Sequence, residues 1–499
     1  MHRIALAPAL LVLSILSLTG GSAAQSTFPA RPGSGIPPTL AGPAPGAVPV
    51  GSPGAVPETE QVRNRSALLV RIDSMIRAEM DRAPWAGLSV AVEQDGVLLF
   101  VRGYGMADLE HGVPVNPGTV FRLGSVTKQF TSTAILQLME DGKLSPNDEI
   151  TRLLPDYPAQ GRTVTVHHLL THTSGIRSYT SMGPAFWEKS RLDMTHEEML
   201  DLFASEPFDF EPGEEYRYNN SGYYLLGMII EEVSGTSYPE YLEEHVLGPA
   251  GLLQTSYCDQ RALVPHRAEG YSRSPEGGLA NAEYLSMGPP GAAGALCSTT
   301  LDLLKWQAAL ESGVLLEPSS RELQLTEATL NDGSGIGYGY GLSLGELEGH
   351  RKVAHGGGIN GFAAMLATYP DDDLRVVVLG NTEGGLSGRV EENIARLVLG
   401  LELGPVLDLP VPASERERLT GEWRFPDIGL TARIYQEGGE LFFGIPGQPP
   451  SRLLSQGENV FFMADNVNQV LVFPSGPEPA ETVELRVGSA TYAGERAEG

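Results

Sequence analysis

Residues 124–128 have the sequence Gly124-Ser-Val-Thr-Lys128, and a helical pattern continues over 126–141 until Gly142. A serine and a lysine three positions apart lie on one face of the first turn of a helix. The helix N-terminus stabilises a developing oxyanion and favours a neutral amine beside it. If Lys128 is desolvated there, it can take the proton of Ser125 and make the serine a nucleophile. The same residues also fit a capping serine followed by a surface lysine, so the pattern needs support from elsewhere in the chain.

Two further motifs supply that support. Tyr218-Asn219-Asn220 lies further along the chain, and His355-Gly356-Gly357-Gly358 lies beyond it. The three motifs, in this order and spacing, resemble those of the serine β-lactamase and penicillin-binding superfamily. The resemblance is strongest to the class C β-lactamase branch, which also contains D-aminopeptidases, D,D-carboxypeptidases and esterases.

Longer stretches carry the same resemblance. The segment Val166-His-His-Leu-Leu-Thr-His-Thr-Ser-Gly175 resembles the most diagnostic segment of that branch, and residues 210–227 are similar to it as well. Ala268-Glu-Gly-Tyr271 and Ala293-Gly-Ala-Leu296 are similar in kind. The resemblance extends over roughly residues 65–400. It implies an α+β fold, in which an antiparallel sheet is flanked by helices and carries an inserted helical subdomain.

The resemblance also implies a role for each motif residue. Ser125 would attack an acyl carbonyl, and Lys128 would accept or hold its proton. Tyr218 would pass a proton to the leaving group, and as a phenolate it would need a positive charge nearby. Asn220 would hold the amide of the substrate. The backbone N–H groups of Ser125 and Gly358 would form the oxyanion hole, where glycine lets the strand approach closely.

His355 departs from the Lys-Thr-Gly motif that is common in β-lactamases, and a histidine occurs there in peptidase and esterase relatives. With Gly357, it is expected to contact the substrate. A histidine is only partly charged near neutral pH. We therefore expect His355 to bind a substrate carboxylate less firmly than a lysine, which disfavours efficient β-lactam hydrolysis.

Each of these residues also has a purely structural interpretation. Tyr218 can pack against Tyr216, and Asn220 can cap a helix before Gly222. The glycines at 356–358 can simply shape a strand or a turn. The joint occurrence of the three motifs favours the catalytic interpretation.

The sequence predicts no metal site and no cofactor. His168 and His172 are four residues apart, but no glutamate follows His168 as a zinc-binding H-E-x-x-H motif requires. The two cysteines, Cys258 and Cys297, form no C-x-x-C motif. In an exported chain they can pair or remain free, and the sequence does not distinguish these outcomes.

The N-terminus predicts export. A short basic start precedes an apolar run over 4–18, and small residues at 22–24 suit signal-peptidase cleavage. We assign 1–24 to a signal peptide, which places the protein in a secreted or periplasmic location. The apolar run is too short for a typical membrane span, so no span is expected after cleavage. An uncleaved interfacial anchor is the alternative.

Composition divides the rest of the chain into three parts. Residues 25–64 form a Pro/Gly-rich disordered linker, because 29–57 hold many prolines and glycines without a hydrophobic period. Residues 65–405 form the hydrolase domain, and 406–499 form a small all-β domain, a barrel or a sandwich, with a loose likeness to lipocalin-like domains. Short apolar runs at 421–425, 429–436, 440–445, 459–463, 469–473 and 482–487 support the last assignment.

Local patterns within the hydrolase domain predict particular elements. Asp95-Gly96 between two apolar runs predicts a β-hairpin. Thr195 with Glu198 predicts a capping box, and Gly235 predicts a helix end. Apolar spacing and composition give the remaining elements: helices over 66–82, 223–233 and 387–401, and strands near 338–345, 361–369 and 374–380.

Charge and motifs together lead to a function. Lys and Arg number 34 against 62 Asp and Glu, for a net charge of −28. Such a surface repels phosphate backbones, so the expected partner is a small-molecule or peptide substrate and not a nucleic acid. The resemblance implies an exported serine hydrolase acting through an acyl-enzyme on an amide, ester or lactam. The alternative is a penicillin-binding sensor that is acylated without turnover. The sequence does not determine the oligomeric state.

Overall fold

A computed structural model describes residues 60–497, apart from 83, 275–277, 385, 404–407, 447, 449, 458, 465, 475, 477, 488 and 489. The predicted signal peptide over 1–24 lies outside the described residues, as does the predicted linker up to residue 59. A helix begins at Glu60, within the last part of the range assigned to the linker.

The described residues form thirteen α-helices and twenty strands, numbered in chain order. The helices are α1 Glu60–Asp81, α2 Thr127–Glu140, α3 Ile150–Leu153, α4 Val166–Leu170, α5 Pro184–Trp187, α6 His196–Phe203, α7 Asn220–Ser234, α8 Tyr238–Leu242, α9 Gly291–Gly294, α10 Thr300–Glu311, α11 Pro318–Gln324, α12 Leu386–Val398 and α13 Ala413–Leu419. The strands are β1 Gly87–Gln94, β2 Val97–Asp108, β3 Val113–Pro114, β4 Phe121–Arg122, β5 Ser256–Tyr257, β6 Tyr271–Arg273, β7 Leu279–Asn281, β8 Leu296–Ser298, β9 Ser343–Leu347, β10 His350–Ile359, β11 Phe362–Tyr369, β12 Leu374–Gly380, β13 Gly421–Phe425, β14 Leu430–Glu437, β15 Glu440–Gly444, β16 Ser451–Gly457, β17 Val460–Met463, β18 Asn466–Val472, β19 Thr482–Val487 and β20 Ala490–Arg496.

A seven-stranded antiparallel sheet forms the centre of the hydrolase region, in the order β3-β2-β1-β12-β11-β10-β9. Alternate residues of its central strands face opposite sides: Val376 and Val378 of β12 pack with α1 and α12, whereas Val377 packs with the core on the other side. Both faces are therefore buried under helices. This architecture confirms the predicted α+β fold.

The β1–β2 hairpin turns at the predicted dipeptide. Asp95 and Gly96 have φ angles of 52° and 68°, the left-handed conformation that a two-residue hairpin turn needs. β1 and β12 are registered antiparallel neighbours, with Val90 opposite Val378. The hairpin prediction is confirmed.

The helical subdomain, α3 to α8, is inserted between β4 and β5, and its apolar core is continuous with that of α2, α10 and one face of the sheet. The predicted capping box is present, since the Thr195 side chain accepts from Glu198 N and the Glu198 side chain accepts from Thr195 N. α7 ends at Gly235, which is left-handed with φ 78°. α7 begins at Asn220, three residues before the predicted start, because the Asn219 side chain caps it.

The strand prediction near 338–345 was wrong for its first half, since β9 begins only at Ser343. The neighbouring strand β10 was not among the strands predicted from apolar runs, although the glycines at 356–358 were expected to lie on a strand or in a turn. β10 contains the run 356–358 of three glycines, which have low strand propensity. Its pairing with both β9 and β11 overrides that propensity.

The C-terminal region is a closed barrel of eight antiparallel strands, β13 to β20. The choice between barrel and sandwich is thereby resolved in favour of the barrel. Its core contains the large buried side chains Trp423, Phe425 and Phe461. β16 and β20 had not been predicted. The division at 405/406 stays a prediction. None of the described helices has the length and apolarity needed to cross a membrane.

Candidate active site

Ser125 lies in a 3₁₀ turn, Gly124–Val126, immediately before α2. Gly124 has φ 52°, and the N–H of Leu123 donates to the carbonyl of Leu296 in β8. The turn is thus fixed to β8 while the serine stays half-buried at the end of the helix. One turn later the side chain of Lys128 points inward and is fully buried, with Nζ 3.2 Å from Ser125 Oγ. The alternative of a surface lysine was wrong.

Lys128 Nζ lies within hydrogen-bond distance of three oxygens, one of which is Ser125 Oγ. Nζ donates to Asn220 Oδ1 at 2.8 Å and to the Ala293 carbonyl at 2.9 Å. Burial holds the pKa of Lys128 well below its usual value. A neutral amine has two N–H groups and one electron pair. In the neutral form that burial favours, Asn220 and Ala293 would use both N–H groups, and the electron pair would be left for the hydroxyl proton of Ser125.

Tyr218 stands beside this pair. Its ring centre is 4.8 Å from Lys128 Nζ, and its hydroxyl is buried against Ser125 without a fully formed hydrogen bond. Burial raises the pKa of Tyr218 well above its usual value, and the Ser125 hydroxyl lowers it only in part. With a neutral lysine as its neighbour, the phenol keeps its proton. Burial therefore favours the protonated phenol over the phenolate.

Asn220 is a partner of the lysine. Its Oδ1 accepts from Lys128 Nζ, and its Nδ2 donates to Thr180 Oγ1 at 3.1 Å. The cap of α7 is Asn219, whose Oδ1 accepts from Gly222 N at 2.8 Å. The capping alternative for Asn220 was therefore wrong. Both ends of the Asn220 amide are engaged within the protein, and its contact with a substrate amide stays a prediction.

His355 lies on β10 and is buried. Its Nδ1 is 2.6 Å from the Gly356 carbonyl, which can only accept, so Nδ1 carries the proton. Its Nε2 then accepts from the Tyr338 hydroxyl at 2.9 Å. Burial, assisted by Lys128, lowers the pKa of His355 to about 3. The ring is neutral at neutral pH, so it lacks even the partial charge that the sequence analysis assigned to it.

The glycine that lets β10 approach the nucleophile is Gly357. A Cβ atom on Gly357 would lie 1.9 Å from the Leu123 carbonyl oxygen and 3.3 Å from Ser125 N. A Cβ atom on Gly358 would meet nothing within 4 Å. The backbone of Gly358 is also close to the turn, since a Cβ atom on Gly124 would lie 2.9 Å from the Gly358 carbonyl oxygen. Gly358 is exposed, and the oxyanion hole of Ser125 N and Gly358 N stays a prediction.

Gly357→Ala is expected to lower the turnover of any substrate of this site by about 10²-fold, because the added methyl group must push β10 away from the turn that holds Ser125. The measurement is kcat for an activated ester. Gly345→Ala is the matched control, since Gly345 lies on β9 of the same sheet with open space around a Cβ atom. Equal activity of the two variants would show that the close approach is not needed.

Several contributors to the site were not predicted. Thr180 accepts a hydrogen bond from Asn220, and Tyr338 donates one to His355. Neither Thr180 nor Tyr338 belongs to a recognisable motif. Ala293 acts through its carbonyl, although the segment 293–296 had been noted for its resemblance. Only the folded chain brings these groups to the lysine and the histidine.

The histidine pair at 168 and 172 is engaged by backbone groups. His168 Nδ1 accepts from Thr165 N, and His172 Nδ1 accepts from Asn219 N. Among the described residues, no group of three or more His, Cys, Asp or Glu side chains is arranged to hold a metal ion. Cys258 and Cys297 are both buried free thiols in this structure.

Comparison with known proteins adds to this geometry. A sequence model of the family described as Beta-lactamase matches residues 72–401. Penicillin-binding protein 4* of Bacillus subtilis (strain 168) is 29% identical over 401 residues, which make up 75% of this chain and 87% of that protein. The residues matched by the family model, 72–401, contain all the motif residues discussed above.

Two solved structures show the same fold. The octameric penicillin-binding protein homologue from Pyrococcus abyssi is 26% identical with a TM-score of 0.62, and the alignment covers 85% of this chain and 99% of that one. A D-stereospecific amidohydrolase from Streptomyces sp. is 26% identical with a TM-score of 0.57, covering 69% of this chain and 100% of the other.

Proposed function

The chain belongs to the β-lactamase family, and we propose that it is an exported serine hydrolase that forms an acyl-enzyme on Ser125. The observation that carries the proposal is the environment of Lys128, whose two N–H groups are used by Asn220 and Ala293. Nζ also lies 3.2 Å from Ser125 Oγ, so the electron pair of a neutral Lys128 would be directed at that hydroxyl. This is the arrangement that a general base needs in order to activate a serine.

In the proposed acylation, Ser125 Oγ attacks the acyl carbon while its proton moves to Lys128 Nζ. The backbone N–H groups of Ser125 and Gly358 stabilise the carbonyl oxygen as it becomes negative. Tyr218, a protonated phenol, gives its proton to the leaving atom as the bond to that atom breaks. The proton on Lys128 then passes to the Tyr218 oxygen, directly or through a water, so that both groups recover their starting states.

Deacylation reverses these proton movements. A water molecule attacks the acyl carbon and loses its proton to Lys128, directly or through Tyr218. The bond to Ser125 Oγ breaks, and the serine takes the proton back. No further carboxylate is needed in this scheme, because the same lysine and phenol serve both half-reactions.

We propose that the substrates are esters or D-amino-acid amides in preference to β-lactams. The neutral His355, engaged with Tyr338 and Gly356, supplies no positive charge for a substrate carboxylate. Penicillins, cephalosporins and peptides with a free C-terminus all carry such a carboxylate. One relative of the same fold is named as a D-stereospecific amidohydrolase, which supports the amide class. The proposal of a secreted or periplasmic location rests on the sequence of residues 1–24.

A substrate panel tests this proposal. A short p-nitrophenyl ester and a D-amino-acid amide are expected to be turned over with kcat/KM at least about tenfold above that of a cephalosporin, because a charge-assisted hydrogen bond is missing for the carboxylate. Steady-state turnover is expected with the first two. A cephalosporin rate above both others would contradict the preference. A stoichiometric burst without turnover on all three would favour the alternative of a sensor that stays acylated.

A further inference from the structure

His172 lies directly behind Tyr218 in the site. Its side chain is buried, and its ring centre is 4.3 Å from that of Tyr218. The rings of Tyr223 and Tyr338 are also close, at 5.1 and 4.8 Å. His172 has φ 61°, a left-handed conformation that is uncommon for a histidine. Such a conformation persists only where surrounding contacts enforce it.

The residues before and after Tyr218, Arg217 and Asn219, each donate a backbone hydrogen bond to His172. The N–H of Arg217 donates to the His172 carbonyl at 3.0 Å, and the N–H of Asn219 donates to His172 Nδ1 at 3.1 Å. The segment 216–219 belongs to no helix or strand. The residues on either side of Tyr218 are therefore fixed to one and the same residue, and the phenol between them has its position set by that residue.

The hydrogen bond from Asn219 also sets the state of the ring. Because Nδ1 accepts a backbone N–H, the neutral imidazole carries its proton on Nε2. Burial, together with Lys128 and His355, holds the pKa of His172 well below its usual value. A protonated ring would lose the acceptor and put a positive charge next to Lys128. The neutral ring keeps both the hydrogen bond and the uncharged surroundings of the lysine.

We propose that His172 is a positioning residue for Tyr218, which clamps the segment 217–219 and holds the phenol against Ser125 for proton transfer to the leaving group. The proposal rests on the proposed function, since it assigns a task within that reaction. His172 itself touches no reacting atom, and it acts only through Tyr218.

Two substitutions distinguish the effect of the hydrogen bond at Nδ1 of His172 from the effect of its ring. His172→Asn places an amide oxygen where Nδ1 lies and tolerates the left-handed backbone, so it keeps an acceptor for Asn219 N. His172→Phe keeps the ring but removes the acceptor, which leaves a buried N–H unpaired. His168→Phe is the matched control. It removes the same kind of bond, from Thr165 N to a histidine Nδ1, in the same segment but without contact to Tyr218.

The measurement is kcat and KM for a p-nitrophenyl ester, together with Tm, for the three variants and the wild type. We expect His172→Phe to lower kcat by about 10²-fold with little change in KM, the loss that a misplacement of about 1 Å can cause. His172→Asn is expected to restore kcat to within about tenfold of the wild type, the remainder reflecting the lost ring. His168→Phe is expected to lower Tm without lowering kcat.

Three results would overturn the proposal: kcat of His172→Phe within about twofold of the wild type, equal kcat losses in His172→Phe and His168→Phe, or no recovery in His172→Asn. If His172→Phe does not fold, kcat of His172→Asn decides alone, and a value more than about tenfold below that of the wild type overturns the proposal. Failure of the proposed function gives a different result, because Ser125→Ala would then keep full ester turnover whatever the His172 variants do.

Discussion

Replacing Lys128 by methionine is expected to lower the rate of acylation by about 10³-fold, within the range that general-base catalysis contributes. Methionine is close to lysine in length and has no basic atom, so the proton of Ser125 loses its acceptor. The oxyanion hole and substrate binding are unaffected, and a slow reaction therefore remains. The measurement is the pre-steady-state release of p-nitrophenol from an activated ester.

A second substitution distinguishes a base from a charge. Lys128→Arg keeps a cation, but a guanidinium does not give up its proton in proteins. We expect Lys128→Arg to be as inactive as Lys128→Met, because the proposed task is to accept a proton. If Lys128→Arg kept near-normal acylation, a fixed positive charge would suffice and the neutral-amine account would be wrong.

The control for both variants is Lys305→Met. Lys305 lies on α10, is about half exposed and pairs with Asp302. Asp302 is buried and keeps its hydrogen bonds from Gln254 N and Thr255 Oγ1, so loss of Lys305 is expected to lower stability, but neither acylation nor turnover should change. Tm is measured for all three variants, so that a loss of rate is compared at equal folding.

Much of the fold followed from local sequence patterns. The Asp95-Gly96 hairpin and the Thr195–Glu198 capping box are set by residues close together in the chain, and both were predicted correctly. The Ser125–Lys128 pair is of the same kind, since helical spacing alone puts the two side chains on one face. Where neighbours within a few residues determine the structure, the sequence suffices.

The errors arose where distant segments determine the structure. The extent of β10 was not predicted, because its glycines disfavour a strand and only the pairing with strands on both sides defines it. The sequence did not show that Gly357, as well as Gly358, lies against the Ser125 turn, because strand register against that turn is a tertiary property. The short apolar runs of the C-terminal region did not predict β16 and β20. They also did not predict the pairing of β13 with β20 that closes the barrel.

The charge states of the site were also beyond the sequence. His355 was expected to be partly charged, and its neutrality follows from burial and from Tyr338, which lies in a region that was expected to be a strand. Burial lowers the pKa of Lys128, and the groups around its Nζ, among them Asn220 and the Ala293 carbonyl, come from separate parts of the chain. Motif spacing names the residues but does not give their protonation.

Ser125→Ala is expected to abolish acylation, since the nucleophilic oxygen is removed and no other side chain shares its place between Lys128 and Tyr218. Any remaining ester hydrolysis should be no faster than about 10⁻³ of the wild-type rate. In comparable enzymes, substrate binding and oxyanion stabilisation alone sustain such a remaining rate. Ser234→Ala, at the exposed end of α7, is the matched control and should be acylated normally.

The most direct test of the account is the mass of the protein after acid quenching during turnover of a p-nitrophenyl ester. We predict that the wild type gains one acyl group, that peptide mapping locates it on Ser125, and that Ser125→Ala gains none. An acyl group on another residue, or an adduct of equal abundance in Ser125→Ala, would contradict the account.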